Sequence, residues 1–334
     1  MDHDRQRRAG IVGAGHHLPA QVLTTEELES RLSGVRVPAG MLGSITGIRE
    51  RRVVGEGEYA STLAVAAARQ ALARAGRDAA EVDLLLFASA SRDFVEPATA
   101  HVVAHELGTR AHCLDVSNAC NSFVNGVDLA RTMVEAGRAR TALVVTGETP
   151  SLSARWEVEN LPQVVEHFAG YTFGDAGAAV VVEPVDRGGL GHTETVTRSE
   201  HWEVGGIFGG GARHPRDLDK LYFSGAGHEL RTAFEKLGPA VIESTMARAG
   251  LGWDDLSRVL VHQVTRPYLD RFVEVTGAPE RLLDVTVEDH GNIASATLGL
   301  QLSRAWDTLA PGDRVLMVGL GGGISVMTML WERS

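Results

Sequence analysis

The 334-residue chain holds two cysteines, and one of them stands where a thiol could act as a nucleophile. Cys120 follows the strand-like run Leu114-Asp-Val-Ser and opens a helix that begins near Asn121–Asn125. The positive end of a helix dipole and its free N–H groups favour a thiolate at such a position. The competing reading is a small buried hydrophobe, which is the usual fate of a free cysteine and the one expected for Cys113 in the preceding strand. A proton-handling partner could come from His262, which ends the apolar strand Val259-Leu-Val-His at the edge where α/β sheets place their ligands. The chain has 13 histidines, so packing or surface exposure competes for any one of them. Asn292 lies in His290-Gly-Asn-Ile-Ala-Ser, a Gly-containing turn into a small-residue helix, where Asn beside Gly usually serves backbone conformation. Gly321-Gly322-Gly323 follows a strand ending near Gly319 and is either a plain loop or a place where bare N–H groups approach a substrate.

These residues need elements that bring them together. Short apolar runs at Val82–Ala88, Thr141–Thr146, Ala178–Val182, Arg258–His262 and Arg314–Gly319 read as strands. Between them, Thr62–Ala75, Asn125–Ala136, Leu230–Ala249 and Ala294–Leu309 read as helices, which makes the chain an α/β protein with a buried sheet. Gly76, Gly137 and Gly250 each follow a helix end, the place for a left-handed cap.

The chain also resembles itself. The plan Ala73-Arg-Ala-Gly, acidic turn, apolar strand, Ser91-Arg92 recurs from Ala247-Arg-Ala-Gly through Leu256–His262 to Thr265-Arg266. Asp115–Cys120, its helix and Thr141–Gly147 likewise match Asp284–Asn292, its helix and Arg314–Gly319, at a similar offset of roughly 175 residues. That spacing far exceeds the ~20–50 residues of a solenoid repeat. It points to one fold made twice, with halves at residues 1–185 and 186–334 divided near the Gly-rich Asp186–Gly191. Cys120 then falls in the first copy and His262, Asn292 and the glycine run in the second.

Composition narrows the class. The 32 basic residues against 43 acidic give a net charge of −11, which argues against nucleic acid as a partner. No run approaches the roughly 18 apolar residues of a membrane span, and the charged start leads into no signal-peptide core. Two cysteines make neither a disulfide scaffold nor a zinc module, so the expected setting is cytoplasmic. Glycine is in surplus, 38 of 334 or about 11% against a usual ~7%.

Several stretches taken together resemble the thiolase superfamily, in its ketoacyl synthase III-like branch. They are Ile11-Val-Gly-Ala-Gly-His-His-Leu-Pro, Thr46-Gly-Ile-Arg-Glu-Arg-Arg, Asp115-Val-Ser-Asn-Ala-Cys120, Phe173-Gly-Asp-Ala-Gly-Ala, His262-Gln, His290-Gly-Asn292 and the closing glycines. The resemblance implies a homodimer of duplicated halves in a five-layer α-β-α-β-α sandwich with a Cys-His-Asn triad. Cys120 would accept the acyl group of an acyl-CoA or acyl carrier protein, with His262 and Asn292 as its partners. N–H groups of Cys120 and Gly321–Gly323 would meet the oxyanion. Thioester exchange of this kind is near-isoenergetic and calls for no cofactor or metal.

Departures from that branch narrow the expectation. The Trp and Arg that grip coenzyme A in fatty-acid-initiating members are absent from Met41–Gly47, and Ser122 replaces a small glycine after the nucleophile, which would reshape the acyl pocket. Met41-Leu…Thr-Gly-Ile-Arg-Glu-Arg-Arg and Arg92…Val-Glu96-Pro97-Ala-Thr-Ala resemble the condensing enzymes of head-to-head hydrocarbon and α-pyrone synthesis. In that group a Glu before this Pro reaches into the partner's site and removes the α-proton of the second acyl thioester. Glu96 holds the matching position; without the resemblance it reads as a surface residue before a turn proline. The expected reaction is a Claisen condensation of two acyl thioesters without decarboxylation. The alternatives are a malonyl extender, acyl transfer from Cys120 to a hydroxyl or amine, and a silent partner subunit. Arg266 and Arg271, just past His262, are either a docking patch for an acidic carrier or solvated helix charges.

Overall fold

The computed structural model describes residues 7–225 and 227–334. Five strands form the first sheet: β1 (Arg8–His17), β2 (Leu84–Ala88), β3 (His112–Val116), β4 (Ala142–Glu148) and β5 (Ala176–Val185). Their order is β1-β5-β4-β2-β3, with β2 parallel to β3 and β4, and β5 antiparallel to its neighbours. Every residue of β2 and β4 is buried, because both faces of the sheet are covered; this is why those strands read as unbroken apolar runs.

The second sheet holds β6 (Gly189–Thr197), β7 (Arg258–Val261), β8 (Arg314–Gly321) and β9 (Ser325–Glu332) in the order β7-β8-β9-β6. Reading β6-β9-β8-β7 against β1-β5-β4-β2 gives the same plan of directions, with one parallel pair at the inner end. A single parallel bridge from Val259 to Leu283 marks where a counterpart of β3 would lie.

Alternation along the strands sorts the core into layers. Leu85, Phe87, Leu143 and Val145 pack outward against helices α1 (Ala60–Ala75) and α2 (Thr99–Leu107). Leu84, Leu86, Ala142 and Val144 pack inward against α3 (Ser122–Glu135). The same inner cluster takes in Leu260, Val315 and Met317 of the second sheet. Beyond that sheet's outer face, Val259, Val261, Leu316 and Val318 meet α4 (Gly227–Ala249) and α5 (Arg266–Thr276). The helix α6 (Ala296–Ala305) joins α3 in the central layer through Leu298 and Leu302. The result is the expected five-layer α-β-α-β-α sandwich.

Part of the glycine surplus is spent on close packing. A Cβ at Gly13 or Gly15 would collide with the Ala71 and Ala67 carbonyls, so bare glycine lets α1 lie directly on β1. Gly76, Gly137 and Gly250 adopt φ of 64°, 70° and 67°, the left-handed caps expected for them. The strands β1, β6 and β9 are not among those read in the sequence: β1 is glycine-rich, β6 is a polar, half-exposed edge, and β9 is a buried strand close behind the glycine run. No helix of the described residues is long and apolar enough to cross a membrane.

Candidate active site

Cys120 sits on a tight elbow between β3 and α3. Ala119 takes a left-handed φ of 48°, an uncommon conformation for a residue with a side chain. The elbow is held by the Asn121 N–H on the Asn118 carbonyl at 3.0 Å and the Ser122 N–H on the Ala119 carbonyl at 3.1 Å. The Ser122 hydroxyl donates to the Ala119 carbonyl at 2.6 Å and accepts from the Asn118 N–H at 2.8 Å. Ser122 is thus fully committed to locking the turn.

The elbow is also bolted to the second sheet, at the start of β9. Asn121, wholly buried, donates from Nδ2 to the Ser325 carbonyl at 3.0 Å and hydroxyl at 2.7 Å. Its Oδ1 faces the bare Cα of Gly319 without a hydrogen-bond partner, which costs about 1–3 kcal/mol in a buried setting. A Cβ on Gly321 would lie 3.2 Å from the Asn118 carbonyl, and one on Gly322 would lie 3.5 Å from the Ala119 Cβ. The structure therefore brings Gly321 and Gly322 against the Cys120 elbow. Gly323, with φ of 72°, makes the next turn.

His262 closes β7, its N–H on the Val318 carbonyl at 3.1 Å. The ring is 4% exposed, and its Nδ1 lies 3.3 Å from the Thr297 hydroxyl. Asn292 stands on a backbone bridge to the segment before β5: its N–H donates to the Thr172 carbonyl at 2.8 Å, and its carbonyl accepts from the Gly174 N–H at 3.1 Å. The side-chain Oδ1 accepts from the Ala294 N–H at 3.1 Å, which leaves the Nδ2 hydrogens as what Asn292 can offer a ligand. The Thr297 hydroxyl beside the His262 ring donates to the Ala294 carbonyl at 2.9 Å. Ala294, itself at a positive φ of 47°, thereby links Asn292 directly and the His262 ring through Thr297.

The electrostatics overturn one expectation. A helix terminus favours thiolate, yet burial and the Glu148 carboxylate push the Cys120 thiol up to about 12. Burial likewise pushes His262 down to about 4, against a weaker pull from the Ala294 backbone. These shifts make the resting pair a thiol and a neutral imidazole, because burial disfavours the charged form of each and the Glu148 carboxylate adds to it at the sulfur. Alkylation of Cys120 by iodoacetamide should therefore rise about tenfold per pH unit from about pH 7 to about pH 9. Peptide-resolved mass spectrometry measures it, and a plateau near pH 8 would contradict the thiol form.

The remaining candidates lie apart. Glu96 is exposed on the loop between β2 and α2, makes no hydrogen bond or ion pair among the described residues, and precedes Pro97 through a cis peptide. Phe94 and Val95 beside it are 54% and 72% exposed. Arg266 pairs with Asp270 at 2.7 Å and Glu288 at 3.0 Å, and Arg271 with Glu235 at 3.4 Å and Glu274 at 2.7 Å. Each guanidinium is already engaged by two carboxylates. Cys113 lies on β3 with its Sγ 3.3 Å from His101 Nδ1.

A cleft of about 990 Å³ opens beside this centre, lined by Thr172 and Phe168 of the first half and Val264 and Tyr268 of the second. Ile45 from the Met41–Gly47 stretch also lines it, together with Glu166, Glu200, Glu203 and Glu229. Four carboxylates against Arg231 and His201 give its walls a net acidic character.

Sequence reasoning missed Glu148, Asn121, Ser295 and Thr297. Only Glu148 left a trace, as a carboxylate ending the wholly buried strand β4.

Residues 114–200 match the 3-oxoacyl-[acyl-carrier-protein] synthase III family, and residues 246–333 match its C-terminal part. The acyl-CoA:acyl-CoA alkyltransferase of Xanthomonas campestris is 31% identical over 97% of this chain and 99% of its own length. The chain belongs to the 3-oxoacyl-[acyl-carrier-protein] synthase III family. Another synthase III relative, the β-ketoacyl-[acyl-carrier-protein] synthase III of Rhodospirillum centenum, is 35% identical over 95% of this chain and 97% of its own. Among solved structures, a cysteine-to-serine variant of Xanthomonas campestris OleA with bound lauric acid and lauroyl-CoA superposes with a TM-score of 0.88. It shares 27% identity over 98% of this chain and 99% of that one. As a synthase III member, the protein is a condensing acyltransferase of the thiolase fold.

Proposed function

We propose that this synthase III member joins two acyl thioesters by a Claisen condensation without decarboxylation, as a homodimer whose partner supplies the base. The observation that supports this reading is the Ala294 backbone, whose N–H holds Asn292 Oδ1 and whose carbonyl accepts the Thr297 hydroxyl that lies against the His262 ring.

In the first half-reaction His262 takes the Cys120 proton as the sulfur attacks an acyl thioester. N–H groups of Cys120 and the Gly321–Gly323 turn meet the oxyanion, and the departing thiol carries the proton away. In the second, Asn292 Nδ2 donates a hydrogen bond to the carbonyl of another thioester, which sits beside the His262 ring. The partner subunit's Glu96 removes its α-proton, and the carbanion attacks the acyl carbon on Cys120. Collapse breaks the carbon–sulfur bond, and Cys120 regains a proton as the partner's Glu96 gives up the one it took, which resets both groups. The exposed, unpaired Glu96 beside exposed Phe94 and Val95 suits a loop that crosses to another subunit. We also read residues 1–185 and 186–334 as duplicated halves, on the matching strand orders of the two sheets.

Relatives support this choice. One is named for transfer between two acyl-CoA molecules, and the OleA structures include variants of a cysteine, a histidine and a glutamate. The relative at 35% identity favours the second reading, a decarboxylative synthase with a malonyl extender. In either case the engaged state of Arg266 and Arg271 and the acidic cleft leave little for an acidic carrier to grip. Intact-protein mass after exposure to acyl-CoA or acyl-carrier thioesters of graded length tests loading. A shift equal to the acyl group, mapped to Cys120, is expected, and no shift from any thioester would refute the reading.

A further inference from the structure

We infer that Glu148 is a positioning residue for the second half-reaction, holding the loop that carries Glu96 and the turn that carries Asn292 in one register. The inference rests on the roles proposed above for Cys120, His262 and Asn292.

Glu148 is the last residue of β4 and is fully buried. Its Oε1 accepts the Ala90 N–H at 2.8 Å and the Ser295 hydroxyl. Its Oε2 accepts the Ser91 N–H at 3.0 Å and the Ser91 hydroxyl at 2.8 Å. Ser91 in turn accepts the Thr149 N–H at 2.9 Å, and the Ser295 hydroxyl lies 2.7 Å from that of Thr146. Ala90 and Ser91 open the loop that runs on to Glu96, and Ser295 comes three residues after Asn292, with Ala294 between them. One carboxylate thus spans the two halves and both segments that the condensation step needs.

The type of residue matters. All four partners are donors, so the position requires a group that only accepts, and no Lys or Arg among the described residues pairs with it. A buried carboxylate held by hydrogen bonds alone is an expensive joint. It also opposes loading, because its charge bears on the Cys120 thiol. A group that burdens the first half-reaction and organises the loops of the second has its use in the second.

Three variants test this: Glu148→Gln, which turns one acceptor into a donor facing the Ser91 N–H, and Ser295→Ala and Ser91→Ala, which each cut one arm. Loading of Cys120 is tracked by intact mass and condensation by product mass, with thermal melting as a control. Loading in Glu148→Gln and Ser295→Ala is expected to stay within about threefold of the parent or to rise. Condensation should fall at least about tenfold, with kcat carrying the loss. Ser91→Ala should show the same split. If Glu148→Gln fails to fold, the two serine variants decide alone. Equal losses in both half-reactions, or no loss in condensation, would overturn the inference. Absence of loading in the parent protein would instead defeat the reading of Cys120 on which it rests.

Discussion

Replacing Cys120 with Ala is expected to abolish covalent loading from every acyl thioester and to lower condensation by at least about 10,000-fold. No other residue can take over. Cys113 lies on the edge strand β3, and burial and Asp115 push its thiol up. The Cys120 elbow owes its geometry to Ala119, Ser122 and Asn121, none of which the substitution touches, so the variant should melt near the parent's temperature. The check is paired: intact mass for the acyl adduct and product mass for turnover. A variant that still condenses at more than a few percent of the parent rate would remove Cys120 from the mechanism.

Replacing Glu96 with Gln should give a different signature. Loading is expected to stay near the parent level, since Glu96 is exposed and makes no hydrogen bond or ion pair among the described residues. Condensation should fall by about 100- to 10,000-fold, the usual loss when a positioned base is removed. Because the proposed base comes from the partner subunit, mixed dimers sharpen the test. A Cys120→Ala subunit paired with a Glu96→Gln subunit retains one complete site, formed by the nucleophile of one and the base of the other. Such a mixture should recover activity that neither variant shows alone. No recovery on mixing, with exchange verified by mass, would mean that base and nucleophile do not complement across subunits.

The architecture was legible in the sequence where burial is two-sided. The strands β2, β4, β7 and β8 announce themselves as apolar runs, and their alternate residues assign the layers. Cys120, His262 and Asn292 could be singled out as candidates because each lies where a strand or turn ends in the sequence pattern. What stayed hidden depends on contacts between residues far apart in the chain. The thiol form of Cys120 arises from burial and a carboxylate on another strand, so the local helix terminus pointed the wrong way. Ser122 reads in sequence as a change to the acyl pocket, yet both its hydrogen bonds stay within the elbow. Glu148 could be noticed as a charge ending a buried strand, but its partners at Ala90, Ser91 and Ser295 come from turns that only the fold assembles. The glycine surplus is explained in the same way, as Gly13, Gly15, Gly319 and Gly321 all lie where another segment leaves no room for a Cβ.

The most direct test of the central claim is to supply purified protein with one acyl thioester as the sole substrate and no malonyl donor. Products are monitored by mass spectrometry and released carbon dioxide by headspace measurement. The expected result is a coupled product carrying two acyl chains, with no carbon dioxide released in step with it. Product that forms only after a malonyl thioester is added, with one carbon dioxide for each coupling, would contradict it.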